Sequence, residues 1–181
     1  MRHRRGISLI EVTISMVIVS LMSMGVIRMV GIAAVTRAQA SDRVRGLNLA
    51  MDMLQEIKSQ HWADPSNSTD ALGPDPGEFD GKTRLNYNDV DDYHGWQQQP
   101  PLDRSGNPLP GYEGWSRSVT VQYAVLSGGH IVPSGSRESG KLITVTVRRH
   151  GRLVAEVQGY RSRGFDRAQS GALPPSGEVI E

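Results

Sequence analysis

The chain has no cysteine, so neither a disulfide framework nor a Cys-ligated zinc site is open to it. Its formal charge of +1 is too small to imply a nucleic-acid partner, and no Lys/Arg stripe follows a helix face beyond the N-terminus. Catalytic signatures are also missing. His61, His94, His130 and His150 are scattered, with no HExxH pairing. Ser127-Gly128-Gly129 and Ser134-Gly135-Ser136 lack the strand–Gly-x-Ser-x-Gly–helix setting of a nucleophile elbow and read as turns. These absences argue against an enzyme. At 181 residues the chain can hold one modest domain plus a long element outside its core.

What the sequence does have is unevenly spread. The mean hydropathy of −0.37 is that of a soluble protein. Most of the strong hydrophobicity nevertheless lies between Ile7 and Val35. No proline occurs from Ile7 to Trp62, while residues 63–116 contain Pro65, Pro74, Pro76, Pro100, Pro101, Pro108 and Pro110. The pattern predicts one helix of roughly fifty residues, apolar all round in its first half and amphipathic in its second. In that second half Leu47, Ala50, Met51, Leu54 and Ile57 recur at helical spacing, with the helix ending near Ala63 before Asp64-Pro65. A short strand is expected around Thr83–Tyr87. Period-two alternation predicts further strands over 118–125 and 142–147. The turn Arg149-His150-Gly151-Arg152 should pair the latter with 153–157 as a hairpin. The fold class is α+β, with a small antiparallel sheet covering the amphipathic half of the helix. From about residue 164 periodicity is lost, and disorder is expected to the end.

Residues 7–35 are long enough to cross a bilayer, which takes about 20 residues. The preceding cluster Arg2, His3, Arg4, Arg5 predicts a cytoplasmic N-terminus with the remainder outside. A secretory signal cut after Ala38-Gln39-Ala40 fits poorly, because the apolar run exceeds the ~7–15 residues of such signals. The cut would also fall inside the helix. A plain signal anchor explains the length but leaves Glu11 over, a carboxylate one turn into an apolar run.

The run Arg-Arg-Gly followed by Ile7-Ser8-Leu9-Ile10-Glu11-Val12 resembles the processing site of type IV pilins and type II secretion pseudopilins, and the fold expected from it is pilin-like. The resemblance implies a class III leader of residues 1–6, removed after Gly6 by a membrane prepilin peptidase, with Ile7 the first mature residue and the site of N-methylation. Most members begin with phenylalanine; this chain has Ile7. Glu11 falls fifth in the mature chain, where the family keeps a glutamate. A carboxylate there can neutralise the α-amine of a neighbouring subunit inside a filament, and an unpaired buried charge would disfavour a wrong register. The implied partners are the peptidase, other pilin or pseudopilin subunits, an inner-membrane assembly platform and the membrane itself. Leu49–Lys58, 115–121 and 141–147 are similar to V- and I-type minor subunits.

The resulting organisation is a leader (1–6), a transmembrane and assembly half-helix (7–35), an amphipathic half (36–62), a head (63–163) and a tail (164–181). The expected function is that of a minor structural subunit of a pilus or secretion filament, anchored in the inner membrane with its head periplasmic. The alternative is a monomeric membrane-tethered binding domain. Some pseudopilins bind calcium, and Asp89, Asp91 and Asp92 are the oxygen ligands this chain would offer. Their spacing does not match a twelve-residue calcium loop, and such clusters commonly cap turns, so no cofactor is expected. Trp96, Trp115, Tyr93 and Tyr112 are expected to pin the Pro-rich loop to the sheet.

Overall fold

A computed structural model describes residues 9–64, 71–79, 81–135 and 140–164. The cleavage site at Gly6-Ile7 and residues 165–181 of the expected tail lie outside them. Internal contacts divide the chain into two units, Met1–Asp42 and Arg43–Glu181.

The helix α1 spans Leu9–Lys58 without interruption. Within the first unit its apolar side chains, Leu9 through Val35, stand exposed all round, and its apolar window has a mean hydropathy of 2.1. This helix is long and apolar enough to cross a membrane. Its hydroxyls are satisfied within the helix: Ser15, Ser20 and Ser23 donate to the carbonyls of Glu11, Met16 and Val19 at 2.7–2.8 Å. Such back-bonding lets a hydroxyl enter an apolar phase without an orphaned donor.

In the second unit α1 lies against a five-stranded antiparallel sheet, a pilin-like α+β arrangement. The strands are β1 (Gln97–Gln98), β2 (Trp115–Ser127), β3 (His130–Pro133), β4 (Gly140–Arg149) and β5 (Arg152–Ser162), in the order β1-β2-β4-β5 with β3 also on β2. Both tight hairpins use two-residue loops whose residues have positive φ: Gly128 (57°) with Gly129 (81°), and His150 (48°) with Gly151 (78°). Positive φ at both loop residues supplies the twist that flanking strands require. On β2, Trp115, Val119 and Val121 point inward at alternate positions; Ile143, Val145 and Val147 do so on β4.

The helical stripe that meets this face is Gly46, Leu49, Ala50, Met53, Leu54 and Ile57. It is rotated from the expected one. Leu47 and Met51 remain 45 % and 41 % exposed, whereas Leu49 and Met53 are buried. The rotation follows from two close approaches. A Cβ on Gly46 would stand 2.7 Å from Val154 Cγ1, and one on Gly159 of β5 would stand 2.7 Å from Leu54 Cδ1. Glycine at these points brings the helix onto the sheet. Gly46→Leu should therefore force the two apart and lower stability by about 1–3 kcal/mol, read as a lower urea midpoint of the detergent-solubilised chain. An unchanged midpoint would mean that the contact yields freely.

Two expectations need correction. The helix stops at Lys58, short of Ala63, because His61 leaves the axis to bridge Asp89: its N–H donates to Asn88 O at 3.2 Å, and its carbonyl accepts from Val90 N at 3.0 Å. The stretch 83–87 is not a strand. Arg84 within it turns inward and is 1 % exposed, so the segment serves as a tether. The aromatic expectation is met. Trp96, Trp115 and Tyr93 are buried, and Tyr112 packs edge-on against Trp115 at 5.5 Å.

Candidate assembly segment and the polar network of the head

Of the residues singled out for processing and assembly, Glu11 alone is described. It lies in the first turn of α1, fully outward like its apolar neighbours, with its carbonyl capped by Ser15. Nothing in its own unit neutralises it through a short ion pair among the described residues. A carboxylate on an otherwise apolar helix is a group whose partner must come from elsewhere if it is to be buried.

The head holds a different kind of chemistry, buried charge used as structure. Glu56, on the last two turns of α1, accepts both Arg84 Nε (2.9 Å) and Arg84 Nη2 (3.1 Å), with the Tyr93 hydroxyl adding a third bond at 3.0 Å. The Arg84 guanidinium lies 4.7 Å over Trp96, which Arg117 also approaches at 5.5 Å. Arg104 donates to the carbonyls of Arg84 and Tyr87, and Arg117 Nη2 to that of Leu102 at 2.6 Å. A proline-rich connection with little regular structure is thereby tied to the helix through side chains. Burial alone would raise the Glu56 carboxyl, but Arg84, Tyr93 and Arg117 hold it below its ordinary range. Burial lowers Arg117 to about 10, assisted by the charge of Arg84.

The second cluster is the acidic turn. Asp89 Oδ1 accepts the N–H of Asp91 (2.6 Å) and Asp92 (3.2 Å), and Asp92 Oδ2 accepts those of Asn88 (2.8 Å) and Asp89 (3.1 Å). The reciprocal caps close a single 3-10 turn, Asp91–Tyr93. Asp91 Oδ2 meets the ammonium of the wholly buried Lys141 on β4 at 2.6 Å. Lys141 also donates to the Trp62 carbonyl and lies 4.0 Å over the Trp62 ring. The three aspartates considered as calcium ligands thus act as turn caps and as a lysine partner. Among the described residues no three His, Asp or Glu side chains are grouped to hold a metal ion.

Burial, reinforced by the charge of Asp91, raises Asp89 to about 6; burial likewise raises Asp91 and Asp92. A carboxyl whose folded pKa exceeds its unfolded value contributes stability that is complete below the unfolded pKa and lost as pH rises through the folded one. Stability of the head should therefore fall from about pH 4 to about pH 8. Asp89→Asn keeps the Oδ1 acceptor, removes the share of this dependence that Asp89 contributes and should raise stability near pH 8 by about 1–3 kcal/mol. Parallel urea-midpoint profiles for variant and wild type would contradict the assignment.

The capping role of the acidic turn is legible in the sequence, whereas the buried ion pairs of the two clusters are not. Arg84, Lys141 and Arg161 are cations that ordinarily stay exposed, and only their partners, up to 101 residues away in the chain, explain their burial.

Comparison with protein families places a match at residues 1–27, to the prokaryotic N-terminal methylation motif. No curated protein and no solved structure matches the chain. The motif covers the basic leader, the Gly6-Ile7 junction, Glu11 and the apolar run as far as Ile27. It implies processing by prepilin peptidase and assembly with other pilins, and proteins that carry it are structural subunits. With an apolar N-terminal helix suited to membrane anchoring and a pilin-like head, the chain carries a prepilin-type N-terminal motif consistent with a type IV pilin-like protein with a class III leader.

Proposed function

We propose that this protein is a minor pilin or pseudopilin, a non-catalytic subunit of a type IV pilus or type II secretion filament. The methylation motif over residues 1–27, running directly into a single helix from Leu9 to Lys58, carries this reading. The precursor inserts with its N-terminus cytoplasmic and its head periplasmic. Prepilin peptidase removes residues 1–6, and glycine at position 6 presents no side chain to the protease and favours an unwound backbone. The α-amine of Ile7 becomes the methylated terminus. Apolar packing along residues 7–35 then drives assembly, with Glu11 neutralising the amine of a neighbouring subunit and so fixing register.

Coexpression with a prepilin peptidase tests the first step. The chain should shorten by its leader, and Gly6→Leu should block the conversion. A precursor that persists unchanged beside active peptidase would favour the monomeric tether instead.

A further inference from the structure

Arg28 is the sole charged side chain between Glu11 and Arg37, and it stands exposed on α1. The apolar run around it is too long for one bilayer. From Leu9 to Val35 it rises about 40 Å at 1.5 Å per residue, against a hydrocarbon core of about 30 Å. Embedding all of it would need a tilt of about 40°, the upper limit for membrane helices, so at ordinary tilts only part is embedded.

Two placements compete. A window from Leu9 to Ile27 spans about 28 Å; one of equal length ending at Val35 contains nearly the same number of large apolar side chains. Hydrophobic burial therefore does not choose between them. Charge does. The later window carries Arg28 about 10 Å inside the hydrocarbon, toward a midplane where a cation costs about 2.5–3.5 kcal/mol. The earlier window sets it one residue beyond Ile27, where its guanidinium can bind lipid phosphate bidentately. The earlier window also keeps the basic leader at the opposite headgroup layer.

We infer that Arg28 is a depth-setting anchor that engages the phosphate groups of the distal lipid leaflet. The membrane-embedded segment ends at Ile27, and Met29–Val35 emerge from lipid. The inference rests on the membrane reading of α1 and narrows it.

The absence of native cysteine makes the test clean. Single cysteines are placed at Ile18, Met24, Ile32 and Val35 of the full chain, reconstituted at low density in phosphatidylethanolamine–phosphatidylglycerol vesicles. They are then labelled with a membrane-impermeant maleimide, with detergent-solubilised samples giving full reactivity. Cysteines at Ile32 and Val35 should react, and those at Ile18 and Met24 should be protected. In an Arg28→Leu background protection should extend by one to two helical turns, to Ile32 and toward Val35, whereas Arg28→Lys should keep the original boundary. Protection of Ile32 and Val35 with Arg28 present, or an unchanged boundary in Arg28→Leu, would overturn the anchor while leaving the membrane span intact. Labelling at all four positions in chain that does not float with the vesicles would overturn the membrane reading itself, and the anchor with it.

Discussion

Lys141→Met is expected to destabilise the head by about 3–5 kcal/mol, the cost of stranding one member of a buried ion pair. Methionine keeps most of the buried stem but removes the ammonium, which meets Asp91 at 2.6 Å and lies 4.0 Å over the Trp62 ring. Asp91 then remains 6 % exposed beside Asp89 and Asp92, which are themselves buried, with its principal cation gone. Because protonation relieves the stranded carboxylate, the defect should shrink as pH falls toward about 4. Adding Asp91→Leu should recover most of the loss, since replacing both partners of a buried pair with apolar groups is often neutral. Urea midpoints of the wild type, the single variants and the double variant at pH 8 and pH 5 check this. A single-variant cost below about 1 kcal/mol would show that water reaches the pair.

Glu11→Ala is expected to leave insertion and leader removal intact while reducing incorporation into sheared filaments by at least about tenfold. The basis is electrostatic. An α-amine entering an apolar filament centre without a counter-charge costs several kcal/mol, and each 1.4 kcal/mol is a factor of about ten. Glu11→Gln should behave like the alanine variant, because it retains the hydrogen-bonding shape and lacks the charge. The fraction of subunit in the filament pellet, relative to that in the membrane, is the quantity to measure. Normal incorporation of either variant would end the register proposal.

How far the sequence carries the fold differs from one element to the next. The second half of the helix and the strands β2 and β4 are legible because their burial is periodic, at 3.6 residues along α1 and by alternation along Val119–Val121 and Ile143–Val147, and β5 because the Arg149–Arg152 turn pairs it with β4. Ala50, Leu54 and Ile57 lie on the buried face as expected, but hydrophobicity alone ranks Leu47 and Met51 with Leu49 and Met53. What selects among them is the groove made by Gly46 and Gly159, a tertiary match between residues far apart. β1, with two residues, and β3, with four that are all exposed, are too short to show an alternation. The loop between helix and sheet was illegible for another reason. Its stability comes from cations that turn inward, Arg84 onto Glu56 and Trp96, and such burial depends wholly on partners. The acidic turn shows the same limit. Turn capping by its oxygens is an expectation the structure meets, but the pairing of Asp91 with Lys141, fifty residues away, carries no local signal.

The N-terminal segment was more legible, because its message is local. A glycine, an aliphatic start, a glutamate one turn along and an apolar run lie within a dozen or so residues, and the family match over residues 1–27 falls on the same segment.

The most direct test of the whole account is the intact mass and N-terminal peptide of the chain extracted from membranes that contain prepilin peptidase. The account predicts a mature chain that begins at Ile7 and carries one methyl group on its α-amine. A chain that retains Met1 or Arg2 would contradict processing and leave a plain anchor, and one that begins at Ser41 would contradict the continuous helix as the mature form.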